Sequence, residues 1–226
     1  MKKVGIVGGI GPASTLDYYR GIIKGGQEKA AAYPGMVINS ISMTDMLALV
    51  AAEKWDELVS MMLKAIQELA NAGAEFAAIA SNTPHIVFSE VEKKSPLPLI
   101  SIVEETCAYA QGKGCKSVVV VGTRFTMSSG LYTEALEKCG IAAFIPTAEE
   151  QEIIHNIIFP NLENGIVLPE EKKIMLDLMN ELITRFKADA LLLGCTELPL
   201  IIQEGEVNAL LLDTAQIHIK AIVKAL

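Results

Sequence analysis

VGIVGGIGPASTLDYYRGI (4–22) and VVVVGTRFTMSSGLYTEAL (118–136) decide the fold, because they are two copies of one pattern. Gly8 matches Gly122, Ser14 matches Ser128 and Tyr18 matches Tyr132, each at an offset of 114 (122 − 8). The same offset pairs Ser81 with Cys195, carrying GAEFAAIASNTPHIV (73–87) onto KADALLLGCTELPLI (187–201). Two separate segments that agree on one offset define an internal duplication. Each half ends an apolar strand in a small nucleophile-type residue. If the halves face each other, Ser81 and Cys195 meet across a cleft, the arrangement that two-sided acid–base chemistry requires.

Outward from these segments the pattern alternates. Strands are expected at 2–9, 36–43, 76–81 and 97–103, with helices over 13–31, over 53–72 and from the fourth strand to about Gly112. The second half repeats the order, with strands at 116–122, 141–146, 190–195 and 209–213 and helices over 128–139, 149–158, 170–187 and 214–225. Pro12 suits the first turn of a helix, and Gly73 its end. Strict alternation predicts an α/β fold of parallel sheets built from right-handed crossovers. The expected division is 1–102 with the C-terminal helix 214–226 in one lobe and 103–213 in the other.

Composition supports this class. The 226 residues are 51% hydrophobic with few aromatics, as expected where parallel strands are buried on both faces. A net charge of −8 without a basic stripe disfavours nucleic acid. No apolar run reaches the ~20 residues of a membrane span, and MKKVGIVGG lacks the features of a signal peptide. Cys107, Cys115, Cys139 and Cys195 have no CxxC or Cys/His metal spacing, so a reduced cytoplasmic protein without a metal is expected.

In open parallel sheets ligands gather at the carboxyl ends of strands. GGIGPAST (8–15), SNTPH (81–85), GTRFTMSS (122–129) and GCTE (194–197) all fall there, where helix N-terminal N–H groups can hold an anion. Asn82, Thr83, Thr123 and Thr196 add donors suited to a carboxylate. One such cluster alone reads most simply as an N-cap, whereas four related by duplication point to a ligand. GGIGP is neither GxGxxG nor a P-loop, which argues against a nucleotide. Cys107, Cys115 and Cys139 read as small core hydrophobes. Cys195 stands at a strand end beside polar groups, with Glu197 and His85 as possible partners, although His85 fits a structural hydrogen bond equally well.

Taken together, GGIGPASTLDYY, SNTPH, GT…TM.S, GCTELP and DTAQIH (213–218) resemble the cofactor-independent aspartate/glutamate racemase family over nearly the whole chain. The resemblance implies two α/β lobes related by a pseudo-twofold with the active site between them. It also implies a small acidic amino-acid substrate, a homodimer, and no pyridoxal phosphate or metal. It makes Cys195 and Ser81 the catalytic pair on opposite faces of Cα, with Asn82, Thr83, Thr123 and Thr196 binding the α-carboxylate.

The chain departs from the family in two places. Ser81 stands where the family usually has cysteine, and a hydroxyl needs a neighbouring base where a thiol near pKa ~8.5 does not. Relatives often carry basic residues in the loop after the second strand and in a later loop of the second half. Here 45–53 and 156–167 contain no Lys or Arg, leaving Arg124 and Lys54 as nearby candidates. Two other readings stay open: a decarboxylase or isomerase using one thiol, and a non-catalytic carboxylate-binding relative.

Overall fold

The computed structural model describes residues 1–226 and places the strands in two parallel four-stranded sheets. In the first half β1 (Val4–Gly8) leads into α1 (Pro12–Ala30), then β2 (Met36–Ser40), α2 (Met43–Ala51) and α3 (Trp55–Asn71). β3 (Phe76–Ile79) runs through a 3-10 turn (Thr83–Val87) into α4 (Phe88–Lys94), β4 (Leu99–Ile100) and α5 (Ile102–Gly112). In the second half β5 (Ser117–Val121), α6 (Arg124–Ser128), α7 (Thr133–Lys138), β6 (Ala142–Phe144) and α8 (Ala148–Ile158) follow. A 3-10 turn (Leu162–Asn164), α9 (Pro169–Phe186), β7 (Ala190–Leu193), another 3-10 turn (Leu198–Leu200), β8 (Leu210–Asp213) and α10 (Thr214–Ala225) complete the chain.

The sheets share one topology, β2-β1-β3-β4 and β6-β5-β7-β8. They also share one register. Val4 lies opposite Phe76 and Val7 opposite Ile79, while Val118 lies opposite Ala190 and Val121 opposite Leu193, so the offset of 114 survives residue by residue. The central strands β1, β3 and β7 are buried along their whole length, and the edge strands β2 and β6 are partly exposed. Unbroken runs such as VVVV and ALLL are what two covered faces demand.

The chain divides into two compact units, Met1–Glu105 with Ala215–Leu226, and Thr106–Thr214. The last helix thus belongs with the first sheet. Ala215, Ile219, Ile222 and Leu226 join Val4, Ile6, Tyr18, Ile22 and Phe76 in one core. Gly21 and Gly25 of α1 allow the close approach, since a Cβ on Gly25 would stand 2.5 Å from Val223 Cγ2. Burying a full Ile or Leu side chain contributes about 1.5–3 kcal/mol, so α10 is a major part of the first unit's core.

Three local expectations are corrected. The 45–53 segment, read as loop, is mostly α2: the strand stops at Ser40, and Ser42 caps the helix by accepting from Asp45 N–H at 3.2 Å. The NTPH loop continues into α4. The helix expected over 128–139 is only α7, Thr133–Lys138; α6 precedes it and ends at Ser128, and Gly130, with a φ of 80°, breaks the helical path between them. Elsewhere the caps act as the sequence suggests, with a Thr147/Glu150 capping box on α8 and Pro at the first turns of α1 and α9. No helix is long and apolar enough to cross a membrane.

Candidate active site

The duplicated register delivers Ser81 and Cys195 to equivalent backbone positions. Ala80 N–H donates to Val7 O at 2.9 Å and Gly194 N–H to Val121 O at 2.7 Å. Ser81 and Cys195 are each the next residue. Glycine is required at the exit before Cys195, because a Cβ on Gly194 would stand 2.6 Å from Thr126 Cγ2 and 3.0 Å from Val121 O. A Cβ on Gly8, at the end of β1, would likewise meet Thr15 Cγ2 at 2.6 Å, so Gly8 is close-packed against α1 and Gly194 against α6.

In the second unit Cys195 is only 8% exposed, and its Sγ–H donates to Glu197 Oε2 at 3.0 Å. Burial raises the thiol pKa well above its ordinary value, and the Glu197 carboxylate raises it further by charge and by accepting the thiol proton. Glu163 adds a smaller push in the same direction. The resting group is therefore a thiol, an acid ready to donate, with a carboxylate placed to take its proton. Glu163, in the turn after α8, is itself raised by burial and then by Glu197. Sequence reading had noted Glu197 but missed Glu163, having searched 156–167 only for cations.

In the first unit the same exit is electrically neutral. Position 83, the counterpart of Glu197, is Thr. His85 bridges the exit: its Nδ1 lies 2.8 Å from Ser81 O, and Ile102 N–H donates to its Nε2 at 3.3 Å. A carbonyl only accepts and an N–H only donates, so the proton sits on Nδ1 and His85 is neutral. Burial, followed by His218, pushes its pKa down to about 3. His218 is a second buried neutral imidazole: Nε2 donates to Ile100 O at 2.9 Å, leaving Nδ1 to accept from the Tyr18 hydroxyl at 2.8 Å. Burial lowers it to about 4. His85 thus holds the strand exit and the start of α5 together. The counterpart of Tyr18 is Tyr132, whose hydroxyl bonds Thr214 and Thr106 in place of a histidine.

Four further residues carry the expected donors. Asn82 is buried at the start of the 3-10 turn and its carbonyl accepts from His85 N–H at 3.0 Å, while Thr83, partly exposed, begins that turn. Thr123 is the N-cap of α6, accepting from Thr126 N–H at 3.4 Å and standing 3.2 Å from Thr126 Oγ1. The Thr126 hydroxyl donates to Gly194 O at 3.4 Å, so it accepts the hydroxyl proton of Thr123. The Thr196 hydroxyl donates to Glu197 Oε2 at 2.8 Å, so only its backbone N–H is left for a ligand.

Comparison with known proteins agrees with this architecture. The family model of Asp/Glu/hydantoin racemases matches residues 7–222. The chain belongs to that family. The broad-specificity amino-acid racemase RacX of Bacillus subtilis is 25% identical, the match covering 97% of this chain and 96% of RacX. A glutamate racemase of Koribacter versatilis is 32% identical over 65% of this chain, but the match spans only 50% of that enzyme. Among solved structures, an aspartate racemase homologue from Pyrococcus horikoshii superposes with a TM-score of 0.89 at 34% identity, over 100% of this chain and 99% of that one. The Picrophilus torridus aspartate racemase gives 0.78 at 26%, over 100% and 94%.

The two cations that sequence reading offered as side-chain binders for a racemase of acidic amino acids are both engaged. Arg124 pairs with Glu152 of α8. Lys54 pairs with Glu57 at 2.8 Å.

Proposed function

We propose that this protein is an amino-acid racemase working without pyridoxal phosphate, with Cys195 as the thiol acid–base and Ser81 as its counterpart for the opposite face of Cα. The observation that carries the reading is the Cys195–Glu197 pair at the exit of β7, matched in register by Ser81 at the exit of β3. When an enantiomer presents its α-hydrogen to Cys195, the thiol proton passes to Glu197 and the thiolate takes the α-proton. The carbanion, drawn as an enolate on the α-carboxylate, is protonated on its other face by the Ser81 hydroxyl or a water it holds; solvent then restores the serine proton and accepts the one held by Glu197. The reverse reaction runs the same steps backwards. Hydrogen bonds that strengthen as the carboxylate becomes enolate-like supply much of the stabilisation. Asn82 and Thr83 are side-chain donors for it, joined by the Thr196 N–H and by the Thr123 hydroxyl when it turns from Thr126 Oγ1 to the carboxylate.

An α-amino acid is the substrate class. Aspartate and glutamate are the candidates the family name suggests, and the RacX relative is described as broad in specificity. A cytoplasmic setting and a homodimer belong to the same reading, the latter checked by light scattering. A one-thiol decarboxylase or isomerase is the second reading, favoured by the absence of a carboxylate at position 83.

Proton NMR of L- and D-amino acids in D₂O tests the proposal. Loss of the α-proton signal with inversion is expected of a complete two-sided site. Exchange of one enantiomer without inversion means that Cys195 works and Ser81 does not. No exchange of any amino acid would overturn the racemase reading.

A further inference from the structure

Ser81 is held on both sides by side chains of its own unit. Upstream, the Ser14 hydroxyl in the first turn of α1 donates to Ala80 O at 3.3 Å, across 66 residues of chain. Downstream, His85 Nδ1–H donates to Ser81 O at 2.8 Å. Both side chains are buried, Ser14 at 3% and His85 at 4% exposure. The imidazole is itself immobilised. Its Nε2 accepts from Ile102 N–H at 3.3 Å, and its face stacks on Phe88 with centroids 5.0 Å apart and planes 9° off parallel.

A peptide group is planar, so a hydrogen bond to its oxygen orients the whole group. Ser81 Cα joins the two groups that are held here, and its φ and ψ are the only soft angles between their planes. With both planes set, the direction of the Ser81 Cα–Cβ bond is set as well. The exit of β7 is held differently. Gly194 O accepts from Thr126 Oγ1 at 3.4 Å, but Cys195 O takes a backbone donor, Leu198 N–H at 3.2 Å, and the thiol has Glu197 on its own sulfur at 3.0 Å. Pro199 stands where the offset of 114 places His85, and its side chain has nothing to donate. The buried imidazole therefore belongs to the exit whose reacting group is a hydroxyl.

We infer that Ser14 and His85 are positioning residues that aim the Ser81 hydroxyl at Cα, and that His85 is not its base. The inference rests on the racemase reading above and deepens it. A base for Ser81 would need an imidazole nitrogen with its lone pair turned to the serine oxygen. Nδ1 carries the proton that Ser81 O accepts, and the lone pair of Nε2 is taken by Ile102 N–H, so both ring nitrogens are committed to backbone groups. What His85 supplies is placement, and a reacting group about 1 Å out of place can lose about a hundredfold in rate.

The test compares wild type with His85→Asn, His85→Gln and Ser14→Ala in D₂O, using both enantiomers of aspartate, glutamate, alanine and lysine. Proton NMR reads α-proton exchange and chiral chromatography reads inversion. Asparagine offers an N–H at the δ position, where His85 has Nδ1, and has no basic nitrogen; glutamine offers its N–H one atom farther out. His85→Gln and Ser14→Ala should each lower inversion about tenfold or more while Cys195-dependent exchange persists, so the ratio of inversion to exchange falls. His85→Asn should hold that ratio within about threefold of wild type. A loss of folded protein lowers both rates together and leaves the ratio unmoved. His85→Asn as impaired as His85→Gln overturns the positioning role. A ratio unmoved by His85→Gln overturns the assignment of His85, and one unmoved by Ser14→Ala that of Ser14; the racemase reading stands in each case. Exchange without inversion in wild type overturns both assignments, because Ser81 then delivers no proton. If wild type exchanges no amino acid, the racemase reading falls and takes them with it.

Discussion

Ser81–Asn82–Thr83 and Cys195–Thr196–Glu197 leave their sheets at the same register, and the two exits have opposite electrical character. The first is tied down by a neutral imidazole, His85, and its nearest buried ionisable neighbour is another neutral imidazole, His218. The second holds a protonated thiol against one carboxylate, with a second nearby. A duplication therefore copies backbone geometry faithfully while leaving charge free to diverge. Strand register is set by unbroken apolar runs, and a substitution at the strand end does not disturb it. On the proposed mechanism the two exits would do unequal work, one offering a thiol with a carboxylate partner and the other a hydroxyl without one.

The largest expected effect removes the better-equipped side. Cys195→Ala is expected to cut α-proton exchange of both enantiomers by about a thousandfold or more, within the usual range for losing a general acid–base. Full activity in this variant, read by NMR in D₂O, would remove the mechanism.

Acid should distinguish the units next. His85 and His218, buried neutral at about 3 and about 4, must be charged to unfold the first unit in acid. Their folded pKa values lie below the unfolded value near 6.5, so this stability is fully present above pH 6.5 and is lost as pH falls toward 4. The loss approaches about 1.4 kcal/mol per pH unit for each histidine within that window. His155 of α8, less deeply buried and also lowered, gives the second unit a weaker version. Hydrogen-exchange mass spectrometry between pH 7 and 4 should show peptides of β3, α4 and α10 losing protection before those of β7 and α9. Simultaneous loss would contradict the assignment.

Ser81→Cys makes the exits more alike, and a rise in racemisation of about ten- to a hundredfold is expected if the hydroxyl limits the reaction. An unchanged rate would mean that the first exit is not the slow side. Gly194→Ala should cost about 1–3 kcal/mol in a denaturant titration, because Thr126 and the Val121 carbonyl leave no room for a methyl. Glu197→Gln, which also removes the proton acceptor proposed for Cys195, should lower the thiol pKa while leaving the larger effect of burial in place. Peptide-resolved alkylation as a function of pH reads this shift directly, and an unmoved profile would show that burial alone sets it.

What was legible came from pattern. The offset of 114 pairs Ser81 with Cys195 in the sequence itself, because apolar strands and their small-residue ends are local features. Where the reading failed, the cause was also local. α2 was missed because LALVAA follows a strand without a conspicuous break, the signal being only Ser42 with Asp45. Thr123 was recognised as either cap or ligand, and its bond from Thr126 N–H shows the cap, while its proton goes to Thr126 Oγ1. Thr196 was expected to face a carboxylate ligand, and instead faces the carboxylate of its own neighbour.

The amino-acid order by itself determined the duplication, the parallel α/β class and the pair of strand-end residues. These follow from repeat spacing and hydrophobic period, which need no knowledge of distant neighbours. Tertiary structure alone decided the chemistry around them. Tyr18 meets His218 across 200 residues of chain, α10 completes the core of the unit in which the chain begins, and Glu163, from another turn, adds to the upward shift of the Cys195 thiol. The strength of an electrostatic interaction depends on separation and burial. Neither is a property of sequence spacing, so the protonation of a thiol or an imidazole becomes readable only once the chain has folded.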